Sequence, residues 1–312
     1  MPADSPMRVR SQLDGSARVT VIGDALIDEL VDDEGTLRVV GGSGLNVAIG
    51  LSILGVPATL VAMVGDDADG ELVRSHLARY GVGLVATISP LGTGIARSER
   101  HGGEPSYTFN APMLHRALDF DGPQRQAIQA SDVVAVSGFP LDDDAQRGML
   151  TRALGETAAV LAIDPNPRAG MLRDAAGFAR ALEQLGDTMS LLKIGDDDAR
   201  LLYGDALAEV IPKLRQRYPR IVATEGGAGA AVHVGAWSTH SPARVRSGAV
   251  VDTMGAGDAV FASILSEIAV AGVGEAVGID AVNWEFALRR AMDVAAATVA
   301  HAGALLRLPP AS

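Results

Sequence analysis

Short apolar runs rich in β-branched residues alternate along the chain with longer stretches whose apolar positions recur every three to four residues. Arg18–Gly23 (RVTVIG) is the first run and predicts a buried strand. Gly44–Leu54 has helical spacing and stops at Gly55, which suits a helix C-cap. Ala58–Val64 predicts a second strand, and Asp69–Tyr80 an amphipathic helix ended by Gly81. Further strand–helix pairs are Asp132–Ser137 with Asp143–Gly155 and Met189–Lys193 with Asp197–Tyr203, with lone strands at Ala159–Ile163 and Ile221–Thr224. Ala-rich helices at Gly255–Ala271 and Ala281–Ala300 close the chain. The alternation predicts an α/β fold, a mostly parallel sheet with helices on both faces.

Two segments break the pattern. Leu26–Val40 reads as two strands joined by an Asp-Glu-Gly turn. Thr93–Asn110 is polar, with Gly102, Gly103 and Pro105 ahead of alternating Tyr107 and Phe109. Both predict hairpins that leave the main sheet from its first strands, so inserted segments at about 25–41 and 93–111 are placed together as a β lid. No linker or internal repeat is visible, and 1–312 reads as a single domain.

Composition narrows the function. Of 312 residues 36 are glycine, above the usual ~7%, yet they lie among strong apolar runs, which argues against disorder. The net charge of −12 disfavours nucleic acid as a partner. There is no cysteine, which excludes disulfides, thiolate catalysis and Cys-ligated metals. No apolar run approaches ~18 residues and no secretory core opens the chain, so no membrane association and a cytoplasmic location are expected. Of the 26 basic residues only Lys193 and Lys213 are lysine, and neither follows a glycine-rich stretch, so the G-x-x-x-x-G-K-[ST] phosphate loop is absent. The hydrolase elbow fails too, because Leu45 stands at its last position.

Two glycine clusters remain, each opening a helix: Gly41-Gly42-Ser43-Gly44-Leu45-Asn46 and Val251-Asp252-Thr253-Met254-Gly255-Ala256-Gly257-Asp258. A helix start offers backbone N–H groups and the positive end of the dipole, a fit for phosphate. Asp258, in the first turn, reads either as a cap or as a base that accepts a hydroxyl proton while neighbouring N–H groups hold phosphoryl charge.

The two clusters resemble the two signatures of the ribokinase-like (PfkB) carbohydrate kinases. Gly23-Asp24-Ala25-Leu26-Ile27-Asp28, Asp164-Pro165-Asn166-Pro167-Arg168, Thr224-Glu225-Gly226-Gly227-Ala228-Gly229 and Gly303-Ala304 fall in that family's order, over nearly the whole chain. The resemblance implies a ribokinase-like three-layer sandwich with a small β lid, and phosphoryl transfer from ATP to a sugar hydroxyl. By similarity Asp258 is the general base, and Gly255, Ala256 and Gly257 form the anion hole. Asp28, Gly42, Ser43 and Asn46 are implied at the sugar, with Arg168 beside them. Arg97 in the lid reads as a sugar or phosphate contact or as a solvated charge. Lys193, Thr224, Gly226, Gly229 and Gly257 are implied at the nucleotide. Asp198 reads as a holder of magnesium through water or as a helix N-terminal acid. Asp252 and the Met254 carbonyl lie where many members bind potassium. ATP, Mg2+ and K+ are therefore the expected cofactors, and a homodimer paired through lid strands carrying Ile27, Leu37 and Val39 the expected assembly.

The sequence also departs from that family. Gly195 stands where an Asn is usual and Asp198 where a Glu is usual, while Ser43 and Gly138 stand where ribokinases carry Lys and Glu. The pattern resembles fructokinases and 2-keto-3-deoxygluconate kinases more than nucleoside kinases. A fructokinase-like hexose kinase is the first reading. A keto-acid, ribose or nucleoside kinase, or a catalytically silent sugar-binding relative, is the alternative.

Overall fold

The structure, a computed structural model, describes residues 17–32, 35–99, 106–244, 250–272 and 278–310. The chain enters through β1 (Val19–Gly23), makes a hairpin of β2 (Leu26–Asp32) and β3 (Gly35–Gly41), and runs into α1 (Ser43–Ile53). It continues through β4 (Ala58–Gly65), α2 (Ala68–Arg79), β5 (Gly83–Ser89), β6 (Ile95–Glu99), β7 (Ser106–Phe109), α3 (Ala111–Leu114) and α4 (Gly122–Gln129). Next come β8 (Val133–Ser137), α5 (Asp144–Gly155), β9 (Val160–Asp164), α6 (Ala175–Leu185), β10 (Leu191–Gly195), α7 (Asp196–Tyr203) and α8 (Leu207–Leu214). The last elements are β11 (Arg220–Thr224), β12 (Ala230–Val234), β13 (Trp237–Ser241), α9 (Ala256–Ala271) and α10 (Trp284–Thr298).

Nine strands form one sheet in the order β13-β12-β11-β10-β9-β8-β1-β4-β5. From β11 to β5 all neighbours are parallel, and only β12 and β13 run antiparallel. β1 is buried along its whole length because it is covered on both faces. Val19 and Val21 join a core with residues of α1, α9 and α10. Ile22 points the other way, into a second core with residues of α5, α6 and α8. The predicted helix-covered parallel sheet is therefore what the chain forms. Among the described residues no helix is long and apolar enough to cross a membrane.

The chain lays β4 and β5 on one side of β1, then returns to build β8 to β13 on the other. This reversal opens a crevice at the carboxyl ends of β1 and β8, the usual ligand position in sheets of this kind. Both predicted hairpins exist and associate as a second sheet, β3-β2-β6-β7, with parallel pairing between β2 and β6 at its centre. A small apolar core of Leu26, Ala96 and Met113 seats it.

Element ends moved for local reasons. The last helix begins at Trp284, not Ala281, because Asn283 Oδ1 accepts the Phe286 N–H at 3.1 Å and residues Gly278–Ala281 form a separate 3-10 turn. Helix α9 starts after Gly255, whose left-handed backbone (φ 77°) caps it. β5, the β12–β13 hairpin, α4, α6 and α8 were not anticipated from the pattern.

Candidate active site

Two helix N-termini face the crevice. Gly42 (φ 108°) precedes α1, and Asn46 lies in that helix's first turn with its side chain buried. Asp258 lies in the first turn of α9, also buried. Asn46 Nδ2 donates to Asp258 Oδ2 at 2.9 Å. The other amide atom, Asn46 Oδ1, is buried with no hydrogen-bond partner among the described residues, leaving an acceptor for a ligand hydroxyl. Burial pushes Asp258 above the usual carboxylate range, opposed by the hydrogen bond from Asn46 and by the charges of Lys193 and Arg168. A raised carboxylate is a better match for a proton leaving an alcohol.

Asp28 comes to the same place from β2, where a Cβ on Gly41 would lie 2.0 Å from its Oδ2. Desolvation pushes it up to about 6, against the pull of Arg168 and with a further push from the Asp258 charge. Arg168 is exposed and forms no ion pair among the described residues, yet its charge acts on Asp24, Asp28, Asp198 and Asp258. One guanidinium with no ion pair among the described residues thus acts on four carboxylates.

The turn before α9 is shaped by Gly255. A Cβ there would meet the Ala304 carbonyl oxygen at 2.1 Å, and its φ of 77° suits glycine. Asp252 braces the same turn, Oδ1 accepting the Met254 N–H at 3.0 Å and Oδ2 the Gly303 N–H at 3.1 Å. Of the three residues expected in the anion hole, Ala256 turns its N–H back to the Thr253 carbonyl at a long 3.3 Å.

Lys193 lies beneath this turn: its Nζ is 2.9 Å from the position a Gly257 Cβ would take. The lysine is enclosed, and Nζ pairs with Asp164 Oδ2 at 2.9 Å. Burial pushes Asp164 upward while the ammonium pulls it back, and three carboxylates hold Lys193 charged. Next along β10 and α7, Asp198 Oδ2 accepts the Gly195 N–H at 2.7 Å, a helix-start contact. Thr224 stands close by, since a Cβ on Gly195 would lie 3.2 Å from its Oγ1 and 3.3 Å from Asp198 Oδ2. The open turn Gly226–Ala228 with Gly229 follows β11 beside them.

The structure thus brings Asp28, Gly42, Asn46, Gly255, Gly257, Asp258 and Lys193 into one cluster. Asp198, Thr224, Gly226 and Gly229 lie along the adjoining strand ends. Arg97 does not join the cluster. It is in register with Glu29, on the face of the small sheet opposite Asp28, and is ion-paired with Glu29 at 3.4 Å and Glu99 at 2.6 Å. Two residues given no role by sequence reasoning, Asp24 and Arg116, line a small pocket just past the carboxyl ends of β1 and β8. Their contact spans 92 residues, so no local pattern announced it.

A family model described as pfkB family carbohydrate kinase matches residues 15–310. Fructokinase of Klebsiella pneumoniae is 27% identical over 271 residues, 83% of this chain and 86% of that protein. Fructokinase of Escherichia coli is 27% identical over 317 residues, 94% of this chain and 97% of that protein. Among solved structures, an ATP-bound fructokinase from Xylella fastidiosa superposes with a TM-score of 0.78 at 23% identity, covering 92% of this chain and 93% of that one. A fructokinase double mutant from Vibrio cholerae O395, bound to fructose, ADP and potassium, superposes at 0.77 and 23% identity over 96% and 97%. At such identities the superpositions speak for the fold.

Proposed function

The chain belongs to the pfkB family of carbohydrate kinases, phosphotransferases with an alcohol acceptor, and from that premise we propose that it moves the γ-phosphoryl of ATP to the primary hydroxyl of a ketohexose such as fructose. The observation that carries the proposal is the buried Asn46–Asp258 pair at 2.9 Å, set at the meeting point of two helix N-termini. Asp258 would take the proton of the attacking hydroxyl while N–H groups of the first turn of α9 receive phosphoryl charge. Asn46 keeps the carboxylate turned toward the acceptor, and its unpartnered Oδ1 can hold a second hydroxyl. Asp28, ionised above about pH 6, accepts two more.

ATP would lie over the ends of β10 and β11, against Thr224, Gly226 and Gly229. Lys193, enclosed under Gly257, would act through the backbone above it. Among the described residues no three His, Asp or Glu side chains converge as a metal-binding group. Magnesium is commonly held by one carboxylate, waters and the nucleotide's own phosphates. Asp198 would supply the carboxylate, and the bound ion would offer charge neutralisation to the transferring phosphate. Potassium would take the Met254 carbonyl, next to a turn that Asp252 already braces. The small sheet would act as a lid that keeps water from competing with the sugar, and the chain is proposed as one domain.

Purified protein with ATP, Mg2+ and a panel of fructose, ribose, 2-keto-3-deoxygluconate, adenosine and inosine tests this by ADP release. Fructose should stimulate release most. Stimulation by another member alone would reassign the acceptor, and none by any would leave a binding protein on a kinase scaffold.

A further inference from the structure

Just past the carboxyl ends of β1 and β8, four distant segments meet. Asp24 follows β1, Ser43 opens α1, Arg116 follows α3 and Gly138 follows β8. Arg116 Nη1 donates to Asp24 Oδ2 and, at 2.9 Å, to the Gly138 carbonyl. Gly138 leaves no room for a side chain: a Cβ would lie 2.4 Å from Ser43 Oγ and 3.1 Å from Asp24 Oδ2. The guanidinium and carboxylate side chains are 12% and 15% exposed, so the pair is largely withdrawn from water but keeps an open side. With Met63, Met113 and Gln146 the pair lines a pocket of about 10 Å³, room for a single water at most. The pair is a wall of that pocket.

Its place relative to the chemistry follows from its neighbours. Gly42 packs on the Asp24 backbone, where a Cβ would lie 2.5 Å from the Asp24 carbonyl oxygen. Asn46, one turn further along α1, holds Asp258. The Arg168 charge reaches Asp24, Asp28 and Asp258 alike, while the Asp258 charge acts on Asp28. Asp24 with Arg116 and Asp258 with Asn46 therefore meet the first turn of α1 at neighbouring positions, with Asp28 within reach of the Asp258 charge.

We infer that Arg116, clamped by Asp24 and the Gly138 carbonyl, is a specificity-determining residue that reads the sugar hydroxyls farthest from the phosphorylated one and, being neutralised by Asp24, favours an uncharged sugar over a sugar acid. The inference rests on the sugar-kinase reading above. A guanidinium carries five N–H donors in a fixed plane, and the described contacts engage Nη1 alone. The remaining donors can meet hydroxyl oxygens in only a few arrangements, which is how epimers are told apart. A carboxylate arriving there would meet the negative charge of Asp24 and lose its water without gaining an unmatched cation.

The experiment compares kcat and KM of wild type, Arg116→Gln and Asp24→Asn on fructose, its C3 and C4 epimers psicose and tagatose, and 2-keto-3-deoxygluconate. Arg116→Gln should raise KM for fructose about 10- to 100-fold, as loss of a charged hydrogen-bonding group does, and flatten the preference over the epimers. KM for ATP should stay within about twofold, since the wall lies away from the nucleotide. Asp24→Asn keeps the shape and frees the cation, so kcat/KM for the acid relative to fructose should rise about tenfold. Wild type inactive on every sugar would overturn the kinase reading and this inference with it. Wild type active, with the fructose KM and epimer preference of Arg116→Gln unchanged, would overturn the inference alone. Should Arg116→Gln fail to fold, the Asp24→Asn acid-to-fructose ratio decides, and an unchanged ratio refutes it.

Discussion

Replacing Lys193 with methionine keeps an unbranched side chain one atom shorter and deletes its charge. Nζ now stands 2.9 Å from Asp164 Oδ2, with the carboxylate wholly buried and the lysine side chain 7% exposed. Removing one partner of such a pair leaves an uncompensated buried charge and costs about 3–5 kcal/mol. The loss should depend on pH. Burial already raises Asp164, and without the ammonium nothing nearby restrains that rise. A carboxyl whose folded pKa is raised binds its proton more tightly folded than unfolded. The penalty is complete above the folded value and recedes as pH falls toward the unfolded value of ~3.9. Urea unfolding should therefore show a larger gap between wild type and Lys193→Met at pH 8 than at pH 5, at unchanged m. Adding Asp164→Asn should recover most of the loss, because the buried charge goes with it. A deficit below about 1 kcal/mol, or one equal at both pH values, would refute the argument that this pair is held together by mutual neutralisation.

Other predictions bear on the site and assembly. Asp258→Asn should lower turnover by ~10²–10⁴ while calorimetric fructose binding persists, and near-normal turnover would remove Asp258 as base. Gly255→Ala forces a Cβ to within 2.1 Å of the Ala304 carbonyl at a φ of 77°, so kcat should drop sharply and thermal melting should fall by several degrees. Since Asp28 is held at about 6, it is ionised above that pH, and KM for the sugar should climb about tenfold per unit below it, a limb that Asp28→Asn should abolish. The outer strand β3 is an open edge with Leu37 60% exposed, so light scattering should find a homodimer at micromolar concentration that Leu37→Asp weakens.

What the sequence disclosed depends on how local each signal is. β1 and α9 were legible because each is apolar on every side, a pattern that burial on both faces imposes. β5 was missed because it is the sheet's last strand, half exposed, and opens with Gly83. The hairpin of β12 and β13 hid behind His233, Trp237 and His240, residues an edge strand can leave near solvent. Asn46 and Asp258 were legible because glycines precede them at helix starts, whereas Asp28, in the middle of β2, was legible only through the family resemblance. For Arg97 the choice between a ligand contact and a solvated charge rests on the β2–β6 register, which puts it on the face opposite Asp28 and which no residue near either strand encodes. Arg116 was invisible because its partner Asp24 is remote in sequence and sterically selected by Gly138.

The hydrogen bond between Asn46 and Asp258 joins positions 212 residues apart. Long closures of this kind form late, after their intervening strands have paired. During synthesis Asp28 and Asn46, carried by β2 and α1, are made long before Asp258. A nascent chain ending before α9 would hold Asp28 and Asn46 but lack Asp258. With Asp258 as the proposed base, catalytic competence would arrive only with the final fifth of the chain.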